Sequence, residues 1–344
     1  MKNHVDADSI KIGVVGAGSW GTALANLLAS KGFKIDLWAF EKDVRDQIQT
    51  HRENIVFLPG FSLSTHIVAF NDITRVVSGK DLILIVVPSH VMREVARGLA
   101  GNVSKEVIIV SASKGIENKT HLTMSGVLKE VLADVPEGQF AVLSGPSFAR
   151  EVASNVPTVV TVASQDPKVA TFVQHIFAKP FFRVYTSDDI IGVELGGAVK
   201  NVIAIAAGII DGLGLGLNTR AALITRGLTE IRRLGLKLGA NSRTFTGLAG
   251  VGDLILTCTG DLSRNHRVGK KIGEGMKLKE ILAESRMVAE GVKTARSVYN
   301  LSRKLNVEMP ISHEIYRILY EDLSPKEALY NLMTRDLKQE FDGY

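Results

Sequence analysis

Cysteine is nearly absent: Cys258 stands alone in a chain of 344 residues. An intrachain disulfide is therefore excluded, and a reducing, cytoplasmic setting is the expectation. Cys258 itself reads as a small buried hydrophobe. Long apolar runs are missing too. The longest, residues 82–87 and 202–210, fall far short of the ~20 residues that a membrane span needs. Residues 1–9 are polar and carry no signal-peptide pattern. Charge is not concentrated. A formal net charge of +5 is spread over interleaved acids and bases, with no polybasic block and no basic–aromatic interleaving. That distribution argues against nucleic acid as a partner and suits small anionic ligands. No histidine or cysteine cluster has metal-ligand spacing, so no metal is expected. Neither an internal repeat nor a low-complexity linker interrupts the chain. At ~150 residues per domain the length accommodates two domains, and without a linker they are expected to abut.

Against these absences, one motif stands out. A short strand, residues 11–15, leads into Gly16-Ala17-Gly18-Ser19-Trp20-Gly21, and an Ala/Leu-rich helical stretch, residues 22–30, follows at once. The spacing is G-x-G-x-x-G in a strand-to-helix context. Gly16 permits a tight turn, Gly18 lets the backbone approach a pyrophosphate, and Gly21 lets helix and strand pack closely. Free N–H groups at the helix start face the anion. The motif predicts a nicotinamide dinucleotide cofactor.

The first half alternates β-branched runs with helical runs. Strands are expected at 11–15, 35–38, 67–70, 82–87, 107–111 and 140–144, with helices between most of them, such as 90–100 and 120–132. Such alternation implies an α/β parallel, doubly wound sheet. Residues 82–87 are apolar throughout, as in a strand buried on both faces. Residues 158–163 and 182–185 read as two further strands. After about Ser187 strand signals stop. Long helices are expected at 190–210 and 221–238, separated by a turn at 211–216, and shorter ones at 268–272, 278–283, 294–305, 313–319 and 325–333. The expected division is a dinucleotide-binding domain at 1–189 and an all-α substrate and catalytic domain at 190–344, with the substrate site at their junction.

Four segments are rich enough to serve a hydride transfer, which needs a proton donor and a binder for the substrate's charge. Lys114 follows a strand and is read either as a ligand contact or as a solvated loop lysine. Gly145-Pro146-Ser147 also follows a strand and is a ligand contact or an ordinary Gly-Pro turn. Lys200 interrupts an apolar helix, where a lysine is rarely buried without a partner. Burial would draw its pKa toward the range useful for acid–base work, unless it snorkels to solvent. Gly196 and Gly197 inside that helix suggest close approach of another surface. In the last segment Asp253 either orients an ammonium group or caps a helix, and Arg264 with Asn265 either grips a phosphate or faces solvent.

Taken in order, these motifs resemble the bacterial NAD(P)-dependent glycerol-3-phosphate dehydrogenases over residues 12–333. The resemblance implies a Rossmann-type first domain, a helical second domain and a possible homodimer. It implies interconversion of dihydroxyacetone phosphate and sn-glycerol 3-phosphate, feeding glycerophospholipid synthesis. By position it makes Lys200 the proton-transferring lysine and Asp253 its aligning group. Lys114 then touches substrate and cofactor. Gly145, Ser147, Asp253, Ser263, Arg264 and Asn265 would contact substrate. Gly16, Gly18, Ser19, Trp20, Gly21, Ala149, Arg264, Val288 and Glu290 would contact cofactor. Val288 and Glu290 would read as a helix-capping turn without the resemblance. The chain departs from the family at Phe40, where a basic residue often grips a 2′-phosphate. Lys42 offers a charge and Glu41 suits a ribose 2′-OH, so NAD and NADP both stay open. Two-domain dehydrogenases of hydroxy acids or sugar acids, and a non-catalytic dinucleotide sensor, are the competing readings.

Overall fold

The structure, a computed structural model, describes residues 9–283 and 288–340. The polar stretch 1–8 lies outside the described residues, as does Met287 beside Val288. Eight strands form one sheet: β1 (Ile12–Val15), β2 (Ile35–Trp38), β3 (Ile67–Phe70), β4 (Leu82–Ile85), β5 (Ile108–Ser111), β6 (Phe140–Ser144), β7 (Thr158–Ser164) and β8 (Phe182–Ser187). Their order is β3-β2-β1-β4-β5-β6-β7-β8. The chain reverses its lateral direction between β1 and β4, which opens a crevice beyond their carboxyl ends. Between the strands run α1 (Ser19–Ala29), α2 (Lys42–His51), α3 (Ile73–Val77), α4 (Met92–Leu99), α5 (Met124–Val131), α6 (Ala149–Ala153) and α7 (Pro167–Phe177).

β4 shows why such a sheet assembles. All four of its residues are fully buried, because helices cover both faces. The strand ends at Ile85, two residues sooner than its apolar run, since residues 86–88 turn into the crevice. Every neighbouring pair is parallel except β6 and β7, which run antiparallel. The doubly wound parallel sheet expected from the sequence is thus present, and the one reversal falls where the two further strands join it. A parallel neighbour needs a long crossover returning along the sheet face, and the β6–β7 connection holds only the short α6, which packs against α1. The helix expected at 120–132 starts at Met124, where the Thr123 hydroxyl accepts from the Gly126 N–H.

Beyond β8 the chain is helical: α8 (Ile190–Gly212), α9 (Gly216–Lys237), α10 (Asp253–Thr259), α11 (Arg264–Gly273), α12 (Leu278–Ala283), α13 (Glu290–Leu305), α14 (Pro310–Tyr320) and α15 (Pro325–Met333). Asp189 caps α8 by accepting from the Gly192 N–H at 2.8 Å. The turn between the long helices shrinks to residues 213–215, and α9 begins five residues before its expected start. By length and composition α8 could cross a membrane, but 94% of its apolar window is buried inside the protein. It is the core helix around which α9, α10, α11 and α13 pack. Its approach to α11 is unusually close. A Cβ on Gly208 would stand 2.0 Å from the His266 carbonyl oxygen, and one on Gly269 would stand 2.0 Å from that of Ile205. The missing side chains let the two backbones touch, and this fixes the first turn of α11 relative to the middle of α8.

Candidate active site

A cleft of about 840 Å³ opens beyond the carboxyl ends of β1 and β4 and is closed on its far side by α8, α10, α11 and the start of α13. At one end lies the glycine turn. Gly16 takes φ +117°, and a Cβ on it would stand 2.4 Å from the Val86 carbonyl oxygen. A Cβ on Gly18 would meet nothing within 4 Å; it faces the open cleft. Gly18 is the N-cap of α1, which has neither a side-chain cap nor an acidic residue in its first turn. The helix start thus keeps its N–H groups for an external anion. Trp20 borders the same space, and its indole Nε1 is buried without a hydrogen-bond partner among the described residues. These features fit the pyrophosphate of a dinucleotide. The Ser19 hydroxyl is committed elsewhere, donating to the Phe57 carbonyl at 2.6 Å. It thereby ties the segment around Phe57 over the cleft.

At the other end the lysines meet. Lys200, in the middle of α8, is buried, and its Nζ donates to Asp253 Oδ1 and to Thr257 Oγ1, each at 2.5 Å. Lys114 Nζ donates to the other oxygen of the same carboxylate at 2.6 Å and to the Gly145 carbonyl at 3.4 Å. One buried carboxylate therefore bridges two ammonium groups. Each ammonium has three donors and spends two on protein, so each keeps one for the cleft that both side chains border. Asp253 does not itself border the cleft; it stands behind the lysines and holds both. Burial draws the Lys200 ammonium down to about 8, with Asp253 pulling it up and Lys114 pushing it further down.

The glycines of α8 make this meeting possible. A Cβ on Gly196 would stand 2.3 Å from the Ala249 carbonyl oxygen, so the turn that delivers Asp253 can lie against α8. A Cβ on Gly197 would stand 2.7 Å from Ser144 Oγ and 3.5 Å from Lys114 Cδ. The close approach expected of both glycines is what the structure contains.

The remaining expected residues gather around the same cleft. Ser263 caps α11, its hydroxyl accepting from the His266 N–H at 3.2 Å. Asn265 is buried between elements: its amide donates to Asn201 Oδ1 at 2.9 Å and its oxygen accepts from the Gly291 N–H at 2.9 Å. Arg264 and Arg267 leave the same helix face into the cleft. Ser147 and Ala149 border it, whereas Gly145 touches it only through Lys114 and through the Ser147 hydroxyl, which donates to its carbonyl at 2.9 Å. Val288 and Glu290 close the rim. Glu290 accepts from the Ser89 hydroxyl at 2.5 Å and from its N–H at 3.3 Å. Burial pushes the Glu290 carboxyl up, against the Ser89 bonds and the charge of Arg264. Sequence reasoning missed Thr257, whose hydroxyl donates to the Asp253 carbonyl at 2.6 Å while accepting from Lys200.

Comparison with known proteins agrees over nearly the whole chain. Residues 11–170 match the family model of the NAD-dependent glycerol-3-phosphate dehydrogenase N-terminus, and residues 189–330 match that of its C-terminus. The glycerol-3-phosphate dehydrogenase [NAD(P)+] of Syntrophobacter fumaroxidans is 56% identical over 331 residues, 96% of this chain and 97% of that one. Its counterpart in Geobacter sulfurreducens is 57% identical over 332 residues, covering 96% and 99%. The crystal structure of glycerol-3-phosphate dehydrogenase from Coxiella burnetii superimposes with a TM-score of 0.91 at 44% identity, covering 95% of this chain and 99% of that one.

Proposed function

Since the chain belongs to the NAD-dependent glycerol-3-phosphate dehydrogenase family and is an NAD(P)-dependent enzyme, we propose that it works as a reductase in the cytoplasm. Dihydroxyacetone phosphate becomes sn-glycerol 3-phosphate, the backbone for glycerophospholipids. The bound nicotinamide supplies the hydride. Lys200 gives its one uncommitted proton to the oxygen that gains charge at C2 of the substrate. Lys114 adds a second positive group beside that oxygen. Asp253 fixes both amines, and Thr257 fixes the direction of the first. Arg264 and the free hydrogens of Asn265 and Ser263 hold the phosphate. The glycine turn, Trp20, Ala149, Val288 and Glu290 hold the dinucleotide. The division of labour runs at Ile190, with 1–189 carrying the glycine turn of the cofactor site and 190–344 carrying the proton donor and the rim that closes over the dinucleotide.

The observation that carries this reading is the buried Lys200–Asp253–Lys114 bridge at the cleft wall. Burial draws the Lys200 ammonium down to about 8 while Asp253 holds it up, so the amine can give a proton to the substrate oxygen in reduction and take one back in oxidation. The test follows oxidation of the reduced cofactor with dihydroxyacetone phosphate. Lys200→Ala should lose about 10²–10⁴ in kcat while still binding the reduced dinucleotide. Turnover close to that of the native enzyme would sink the assignment.

A further inference from the structure

β2 ends at Trp38, and the chain leaves it through Ala39, Phe40 and Glu41 into α2. Trp38, Phe40 and Glu41 all border the cleft. Phe40 is 77% exposed and meets the Trp38 ring edge-on, 6.0 Å between centroids. Glu41 occupies the N-cap position of α2, yet its side chain caps nothing. Its carboxylate has no hydrogen-bond or ion-pair partner among the described residues. The surrounding wall is acidic. Of the cleft-bordering residues between β2 and the end of α4, the charged ones are Glu41 and Glu94. Lys42 follows Glu41 but does not border the cleft. Arg75 is turned onto the Phe70 ring, 4.3 Å from its centroid. The cations that do border the cleft stand on later elements, from Lys114 onward.

An acidic side chain about 20 residues beyond the glycine turn is placed to accept from the hydroxyls of a dinucleotide's adenosine ribose. A phosphate ester on that ribose would bring a charge of about −1.5 to −2 toward the Glu41 carboxylate, with an uncharged ring at the neighbouring Phe40 and no cation on that wall to receive it. We propose that Glu41 selects the cofactor without a 2′-phosphate, so that this enzyme prefers NAD(H) to NADP(H). The inference rests on the cofactor cleft described above and names its specificity-determining residue.

The test is calorimetric titration of the full chain with NADH and with NADPH, paired with kcat/KM for dihydroxyacetone phosphate using each. NADH should bind about tenfold tighter or more, and the kinetic ratio should follow. Glu41→Gln should shrink the ratio about tenfold, chiefly through tighter NADPH, with an unchanged melting temperature. The double change Phe40→Arg with Glu41→Gln should shift it further toward NADPH. Equal or tighter NADPH binding by the native chain overturns the proposal. So does a ratio that Glu41→Gln leaves unmoved. A calorimetric preference for NADH without any reduction of dihydroxyacetone phosphate would keep this inference and remove the proposed reaction instead.

Discussion

Asp253 spends one carboxylate on two lysines, and the chemistry of both depends on it. Its charge raises the Lys200 pKa, while burial and Lys114 lower it. Reduction needs Lys200 protonated, so its rate should fall as pH climbs through about 8; oxidation of glycerol 3-phosphate needs the neutral amine and should rise over the same range. Asp253→Asn removes the upward pull. The reduction limb should then move to lower pH, and kcat should drop by about 10²–10⁴. A pH–rate profile measured in both directions checks the sign, and parallel profiles for the two directions would contradict the assignment. Lys200 was legible as a residue, because a lysine among apolar neighbours needs a reason. Thr257 was not. It lies one helical turn after Asp253, and that spacing carries meaning only once residues 253–259 are known to form a helix, α10. The run of glycines before it concealed that helix.

Elements were legible where burial imposed a pattern. The strands at 35–38, 67–70 and 140–144 were delimited by their β-branched and apolar residues, and their observed ends match. α2 was missed because only Val44 and Ile48 of its ten residues are buried, leaving too thin a stripe to read. The reversal of β7 was hidden for another reason: strand direction is set by the length and docking of a connector, not by the strand's own residues. Contact between α8 and α11 belongs to this scale too. Gly208→Ala would drive a methyl group into the His266 carbonyl, 2.0 Å away. About 1–3 kcal/mol of stability should be lost. The first turn of α11 would also shift, so KM for dihydroxyacetone phosphate should rise more than KM for the dinucleotide. Denaturant unfolding and steady-state kinetics on one variant test both effects.

At the scale of the molecule, the two halves are bound at many points. Glu194 on α8 accepts from the Ser125 N–H at 2.7 Å and the Ser125 hydroxyl at 2.5 Å, so a helical-half carboxylate sits at the start of α5. The Ser297 hydroxyl donates to the Ile116 carbonyl at 2.8 Å. Glu290 and Ser89, and Lys114 and Asp253, add two more links. Buried links of this kind make separate unfolding costly. Scanning calorimetry should therefore show a single transition, raised by NADH in proportion to its logarithmic excess over Kd; two transitions that NADH moves independently would contradict this. The absence of a linker foreshadowed this joining, whereas the particular links depend on contacts between distant segments that no local pattern encodes.

The greasy helix at the centre, α8, has a consequence for biosynthesis. Its covering helices α9, α10, α11 and α13 all come later in the chain. The ribosome, adding ~5–20 residues per second, needs roughly 3–10 s to travel from the end of α8 to α11. Throughout that interval the cover over a newly made segment resembling a membrane anchor is incomplete. Chains truncated after Gly216 and released should pellet or recruit chaperones, whereas chains extended past Leu305 should stay soluble, and fractionating the released products would reveal the difference.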